Sequence, residues 1–138
     1  MAKTALITGA TAGIGEATAR KMAEEGFRVI ITGRRQERLE QLKEELKTAF
    51  SADVLPLQFD VCDKDAVAKA IAELPKDWKS IDVLVNNAGL AVGKSPLQEG
   101  EIDDWERMID TNVKGLLYIT CAVAPLMVER KKGHILNV

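Results

Sequence analysis

Thr8-Gly9-Ala10-Thr11-Ala12-Gly13-Ile14-Gly15 stands between two segments of different periodicity. Before it, Thr4-Ala-Leu-Ile-Thr8 is a short apolar run that fits a buried strand. After it, Ile14 to Glu25 places its apolar residues at helical spacing. Three glycines therefore fall at a strand-to-helix turn, where each has a separate use. One permits the tight turn, one lets backbone N–H groups approach a diphosphate, and one lets the new helix pack closely on the sheet. A helix starting there presents unpaired N–H donors and the positive end of its dipole to an anion. The spacing Gly9-x-x-x-Gly13-x-Gly15 departs from the G-x-G-x-x-G fingerprint, and no Gly-Lys-Ser/Thr follows, as a phosphate loop requires. A plain glycine-rich turn would carry the same residues, so the stretch needs support from elsewhere in the chain.

Working outward, strands and helices alternate without linker, repeat or low-complexity tract. The first helix should stop at Gly26. Phe27–Thr32 reads as a second strand, and Gln36–Phe50 as a charged helix with Leu39, Leu42 and Leu46 on one face. Asp53–Phe59 reads as a third strand, placed at a sheet edge by Pro56, which has no N–H to donate. Lys64–Leu74 is the next helix and Ile81–Val85 a fourth strand. A long amphipathic region runs from Glu101 to about Arg130, closed by Gly133, and His134–Val138 begins a fifth strand. This alternation predicts an α/β fold of Rossmann type: a doubly wound parallel sheet in the order 3-2-1-4-5, cut off after its fifth strand.

The composition bounds the partners. With 138 residues, 46% hydrophobic and 29% charged, the chain is long enough for one domain with its own core. A net charge of −2 without a basic block argues against nucleic acid or an anionic membrane as a partner. The apolar runs look too short for a transmembrane helix, and no signal peptide precedes the first strand. Cys62, Cys121 and the lone His134 show no metal-ligand spacing, and the two cysteines read as core or near-core thiols of a reducing cytoplasm.

Three further stretches fall where open α/β sheets bind ligands, at the carboxyl ends of strands. After the second strand comes Thr32-Gly33-Arg34-Arg35, with no carboxylate before Glu37. An acidic residue there would bind the ribose 2′-OH of NAD, whereas a guanidinium fork suits the 2′-phosphate of NADP. Two positive charges at a helix start also oppose its dipole unless an anion offsets them, although a solvated basic surface reads the same way. After the third strand, Asp60 and Asp63 are each able to cap the following helix, with Asp63 better placed. After the fourth, Asn86-Asn87-Ala88-Gly89 leaves space in the crevice and offers side-chain amides to bridge strands. Asn112, within Asp110-Thr111-Asn112-Val113-Lys114-Gly115, interrupts a helical pattern.

Thr-Gly-x-x-x-Gly-Ile-Gly, Asp60-Val61, Asn-Asn-Ala-Gly and Asn112, in this order, closely resemble the signatures of the short-chain dehydrogenase/reductase family, over the whole chain. The detail of Gly-Arg-Arg-Gln-Glu-Arg-Leu, Asp-Trp-Glu-Arg-Met-Ile-Asp-Thr-Asn and Met-Val-Glu-Arg-Lys-Lys-Gly-His-Ile is most similar to its NADP-dependent serine and 3-hydroxy acid dehydrogenases. The resemblance implies NADP as cofactor, held by Gly9, Thr11, Gly13, Ile14, Gly15, Arg34, Arg35, Asp60, Val61, Asn87, Ala88 and Gly89. It implies that Asp60 and Val61 lie at the adenine and that Asn112 holds a water in a proton relay.

The same resemblance requires a Ser after the fifth strand, then Tyr-x-x-x-Lys. Tyr118, the only tyrosine, is followed by Ile-Thr-Cys-Ala and does not match. Two readings stay open. The chain is the cofactor-binding domain of an oxidoreductase, spanning residues 1–138 and incomplete at its C-terminus. Alternatively it is a stand-alone Rossmann fragment that binds nucleotide, or only self-associates, without turnover. In either case a homo-oligomer is expected, through the edge of the fifth strand or the helix bearing Leu116, Leu117, Ile119, Val123 and Leu126.

Overall fold

Residues 2–138 are described by a computed structural model. Strand β1 (Thr4–Ile7) is fully buried and lies at the centre of the sheet, because its residues serve both faces. Ala5 and Ile7 point to one side and Leu6 to the other. Val29 and Ile31 against Ile30, and Val85 against Leu84, repeat the alternation in β2 (Arg28–Gly33) and β4 (Val83–Asn86). Such two-sided burial is what a parallel sheet demands of its sequence. With β3 (Val54–Gln58) and β5 (His134–Asn137), five parallel strands run in the order β3-β2-β1-β4-β5. Pro56, opposite Ile31, therefore lies on the edge strand, as its missing N–H required.

Helices α1 (Gly13–Glu24) and α2 (Gln36–Phe50) cover one face through Ala19, Ala23, Leu39, Leu42 and Leu46. Helix α3 (Lys64–Ala72) and helix α5 (Leu116–Arg130) cover the other, with Val67, Ile71, Ile119, Val123 and Met127 inward. The first helix ends at Gly26, which has φ +90°. Asp63 caps α3 by accepting the Ala66 N–H at 3.1 Å.

The long region after β4 is one continuous helical stretch with a change of winding. Helix α4 (Ile102–Ile109) passes through a π-helical turn at Asp110–Gly115 into α5. Asn112 sits in that turn, so the interruption expected there is an added residue per turn rather than a break. Two expectations need correction. The stretch ends at Lys131, which takes the left-handed conformation at φ 55°, and not at Gly133. Gly133 serves another need, since a Cβ there would collide with the Met127 side chain. In addition, Ile102–Arg130 spans 29 residues and is apolar enough to cross a membrane by length and composition, contrary to the short-run reading. Here Ile119, Val123 and Met127 recur every four residues and pack on the sheet, each worth about 1.5–3 kcal/mol when fully buried. Ile119 and Val123 are thus core residues and not part of an outer face.

Candidate functional site: a crevice at the strand ends

The chain order reverses beside β1: β2 and β3 lie on one side, β4 and β5 on the other. Ligands of open α/β sheets bind at this switch point, and here a cleft of about 250 Å³ opens there. Its walls come from the turn after β1 (Gly9, Thr11), the end of β2 (Thr32–Arg35), Phe59–Val61 after β3, and Asn87–Leu90 after β4. The structure thus brings together Gly9, Thr11, Arg34, Arg35, Asp60, Val61, Asn87, Ala88 and Gly89 of the residues selected from sequence.

Gly13, Ile14 and Gly15 form the start of α1 behind the cleft wall. Gly9 and Gly13 have φ +62° and +55°, the left-handed region where a side chain costs energy. Gly15 has no room for a Cβ, which would strike the Gly9 carbonyl and the Asn87 amide. Ile14 is exposed. No side chain caps α1 or α2, so the first-turn N–H groups of both keep their donors for something else. The turn is latched to β4 reciprocally. Thr8 Oγ1 accepts the N–H groups of Asn87 at 3.0 Å and Ala88 at 2.9 Å, while Asn87 Nδ2 donates to the carbonyls of Thr8 and Gly9, both at 3.2 Å. Asn86 bridges the other way, donating to Asn137 Oδ1 at 3.0 Å and Thr120 Oγ1 at 3.1 Å.

The rim carries charge of both signs. Arg34 and Arg35 are exposed and have no carboxylate within 4.0 Å among the described residues, unlike Arg20, Arg28, Arg107 and Arg130. Across from them Asp60 accepts the Cys62 N–H at 2.9 Å. Burial pushes the Cys62 thiol up and Asp60 adds to the effect, which the Thr111 hydroxyl at 3.2 Å opposes. Cys62 is therefore a protonated, partly buried thiol. Cys121 is exposed on α5, which corrects its reading as a core thiol.

Asn112 lies outside this cleft. Its Oδ1 accepts the Leu90 N–H at 2.7 Å and its Nδ2 donates to the Leu90 carbonyl at 2.8 Å, so its side chain clamps the loop after β4. That loop separates the cleft from a second, more open hollow of about 490 Å³ walled by Asn86–Ala91, Asn112, Leu116 and Val138. Thr8, Leu90 and Thr111 were not selected from sequence as site residues. Thr8 had a signal, standing directly before Gly9. Leu90 and Thr111 had none, since only the fold brings them to the crevice.

The sequence profile of the family described as short chain dehydrogenase matches residues 3–138. The chain belongs to this family. Among short-chain dehydrogenases, an NADP-dependent 3-hydroxy acid dehydrogenase of Salmonella typhi is 55% identical over 133 residues, which are 96% of this chain and 52% of that protein. The closed form of a serine dehydrogenase complexed with NADP+ superposes with a TM-score of 0.91 at 51% identity, covering 97% of this chain and 52% of the other. An NAD+-bound xylitol dehydrogenase superposes with a TM-score of 0.93 at only 32% identity, over 98% and 52%. The chain spans about half the length of the curated relatives it matches. An NADP+ complex and an NAD+-bound structure thus superpose on this chain about equally well, so the backbone does not distinguish the two dinucleotides.

The residues present fit a dinucleotide. The uncapped starts of α1 and α2 suit two anionic groups. The Thr32 hydroxyl, beside the cleft, is buried without a hydrogen-bond partner among the described residues. A buried polar group left so costs about 1–3 kcal/mol, and a ligand reaching it would relieve that.

Proposed function

We propose that this chain is the NADP-binding part of a cytoplasmic short-chain oxidoreductase that moves hydride between NADP and a small hydroxy acid of the serine or 3-hydroxy acid type. The observation that carries the cofactor is the Arg34–Arg35 pair at the end of β2, exposed beside the cleft and without a carboxylate partner among the described residues. The substrate class rests on the relatives of half or more identity whose names give 3-hydroxy acids or serine. Bound NADP would supply the hydride acceptor. The chain's own residues orient it: the glycine turn and α1 toward the pyrophosphate, Asp60 and Val61 toward the adenine, and Asn87–Gly89 toward the inner end. Asn112 fixes Leu90 between the two hollows, where the proton-relay role implied by the resemblance belongs. Two free cysteines suit a reducing compartment.

Calorimetric titration with NADP+ and NAD+ tests the reading. NADP+ should bind more tightly, and Arg34→Asp or Arg35→Asp should weaken it selectively by about 1–3 kcal/mol. Equal affinity for both dinucleotides removes the basis of the proposal.

A second reading, a Rossmann fragment that binds without turnover, concerns these 138 residues taken alone, which contain no Tyr-x-x-x-Lys. Oxidation of an alcohol needs a base for its proton, and the residues lining the cleft include no tyrosine–lysine pair to take it. With serine and NADP+, this chain alone should give no nicotinamide absorbance change above the blank. A steady rate lost on substituting a cleft residue would overturn that expectation.

A further inference from the structure

Arg34 and Arg35 are neighbours in sequence but are held differently. Arg35 donates from its guanidinium to Thr11 Oγ1 at 3.1 Å, while the guanidinium of Arg34 makes no hydrogen bond among the described residues. Thr11 is only 8% exposed and stands in the glycine turn, across the cleft mouth from the end of β2. Room for it depends on Gly33, where a Cβ would lie 3.0 Å from Thr11 Cγ2. The backbone beneath the arginines is fixed from the edge strand, as Gln58 Nε2 donates to the Arg34 carbonyl at 3.0 Å.

We infer that Thr11 is a positioning residue that aims Arg35, and that through Arg35 it sets the preference for a 2′-phosphorylated dinucleotide. The inference rests on the cofactor reading above. A threonine is suited to the task, because branching at Cβ restricts its side-chain rotamers and its methyl is packed against Gly33. The hydroxyl takes one of the five guanidinium donors, so the rest of the fork stays free for a phosphate. Ordering a long arginine side chain costs entropy; holding it before the ligand arrives removes that cost from binding. Arg34, untethered, adds charge without direction.

Adenosine 2′,5′-bisphosphate and adenosine 5′-monophosphate, titrated into the chain and its variants, separate the two levels of the argument. Thr11→Val should lose roughly tenfold in affinity for the bisphosphate, the effect of one hydrogen bond to a charged group, and keep its affinity for the monophosphate. Thr11→Ser, which retains the hydroxyl, should recover most of the loss. In an Arg35→Ala background, Thr11→Val should change nothing further. A parallel loss for both nucleotides, no loss at all, or a loss that persists without Arg35 overturns the inference. A wild-type chain with no preference for the bisphosphate overturns the cofactor reading, and this one with it. Independently of how any variant folds, the ligand-free wild-type chain should give an Arg35 side-chain ¹⁵N signal distinct from that of Arg34; averaged signals overturn the tether.

Discussion

Asp82, directly before β4, is the meeting point of three segments at the end of the sheet opposite the crevice. Its carboxylate accepts the Thr4 N–H from β1 at 2.9 Å and the Arg130 guanidinium from the end of α5 at 3.1 Å, with Lys132 Nζ at 3.9 Å. Its side chain is 10% exposed. Burial pushes the carboxyl pKa up, but the Thr4 N–H and the two cations outweigh it and hold it below the ordinary aspartate value. The folded pKa thus lies below the unfolded one. The stabilisation is fully present above about pH 4, the usual value for an unfolded aspartate, and is lost as pH falls through the folded value. Asp82→Asn should lower stability by about 1–3 kcal/mol at neutral pH. In denaturant melts the gap from wild type should close below pH 4; a gap constant with pH would show that charge is not what Asp82 supplies. None of this was legible in the sequence, because Thr4 and Arg130 are 78 and 48 residues away. The same holds for the clamp of Asn112 on Leu90. The arginine pair was legible because its position after a strand has meaning by itself, and so was Asp63, since a cap acts within its own helix.

Elements were easier to read than contacts, since each strand buried on both faces must be apolar throughout and each covering helix needs one stripe. Gln36–Phe50 follows its leucine stripe from end to end. The end of α5 misled for a physical reason: a glycine after a helix usually marks its C-terminal cap, but Gly133 is required by Met127, and Lys131 takes the left-handed position instead. An L-residue there costs about 1 kcal/mol that glycine avoids, part of it returned through the more flexible unfolded chain. Lys131→Gly should therefore raise the thermal midpoint, by about 0.5–1 kcal/mol of stability. Gly133→Ala should lower it, since the new methyl must displace Met127. Thermal melts of both variants check the assignment: a destabilising Lys131→Gly would show that Lys131 does not carry the cap, and a stabilising Gly133→Ala that Met127 does not require the glycine.

At the scale of the molecule, the two faces of the sheet are not covered alike. The side built on α1 and α2 is closed and cross-linked, with Arg20 of α1 paired to Glu45 of α2. On the other side, Val113 and Leu117 are half exposed and Val128 is 74% exposed, while Ile135, Leu136 and Val138 of the β5 region are all accessible. A groove floored by Ala124, Met127 and Ile135 runs between α5 and β5, and the outer edge of β5 pairs with no strand among the described residues. This concentration of apolar surface also explains why Ile102–Arg130 is apolar enough to span a bilayer. Within that stretch, Val113, Leu117 and Val128 add apolar residues on the outer side to those on the inner one. Contiguous exposed apolar area of this kind marks an association surface, and a two-fold dimer is the commonest closed way to bury it. The chain should accordingly associate reversibly, with light scattering across a dilution series showing mass that rises with concentration. Leu117→Glu or Val128→Glu, both outside the sheet-side core, should shift the equilibrium toward monomer and leave the melting temperature unchanged at dilutions where the wild type is itself monomeric. A monomer at high micromolar concentration, or an association untouched by both substitutions, would place the contact elsewhere than the α5 face.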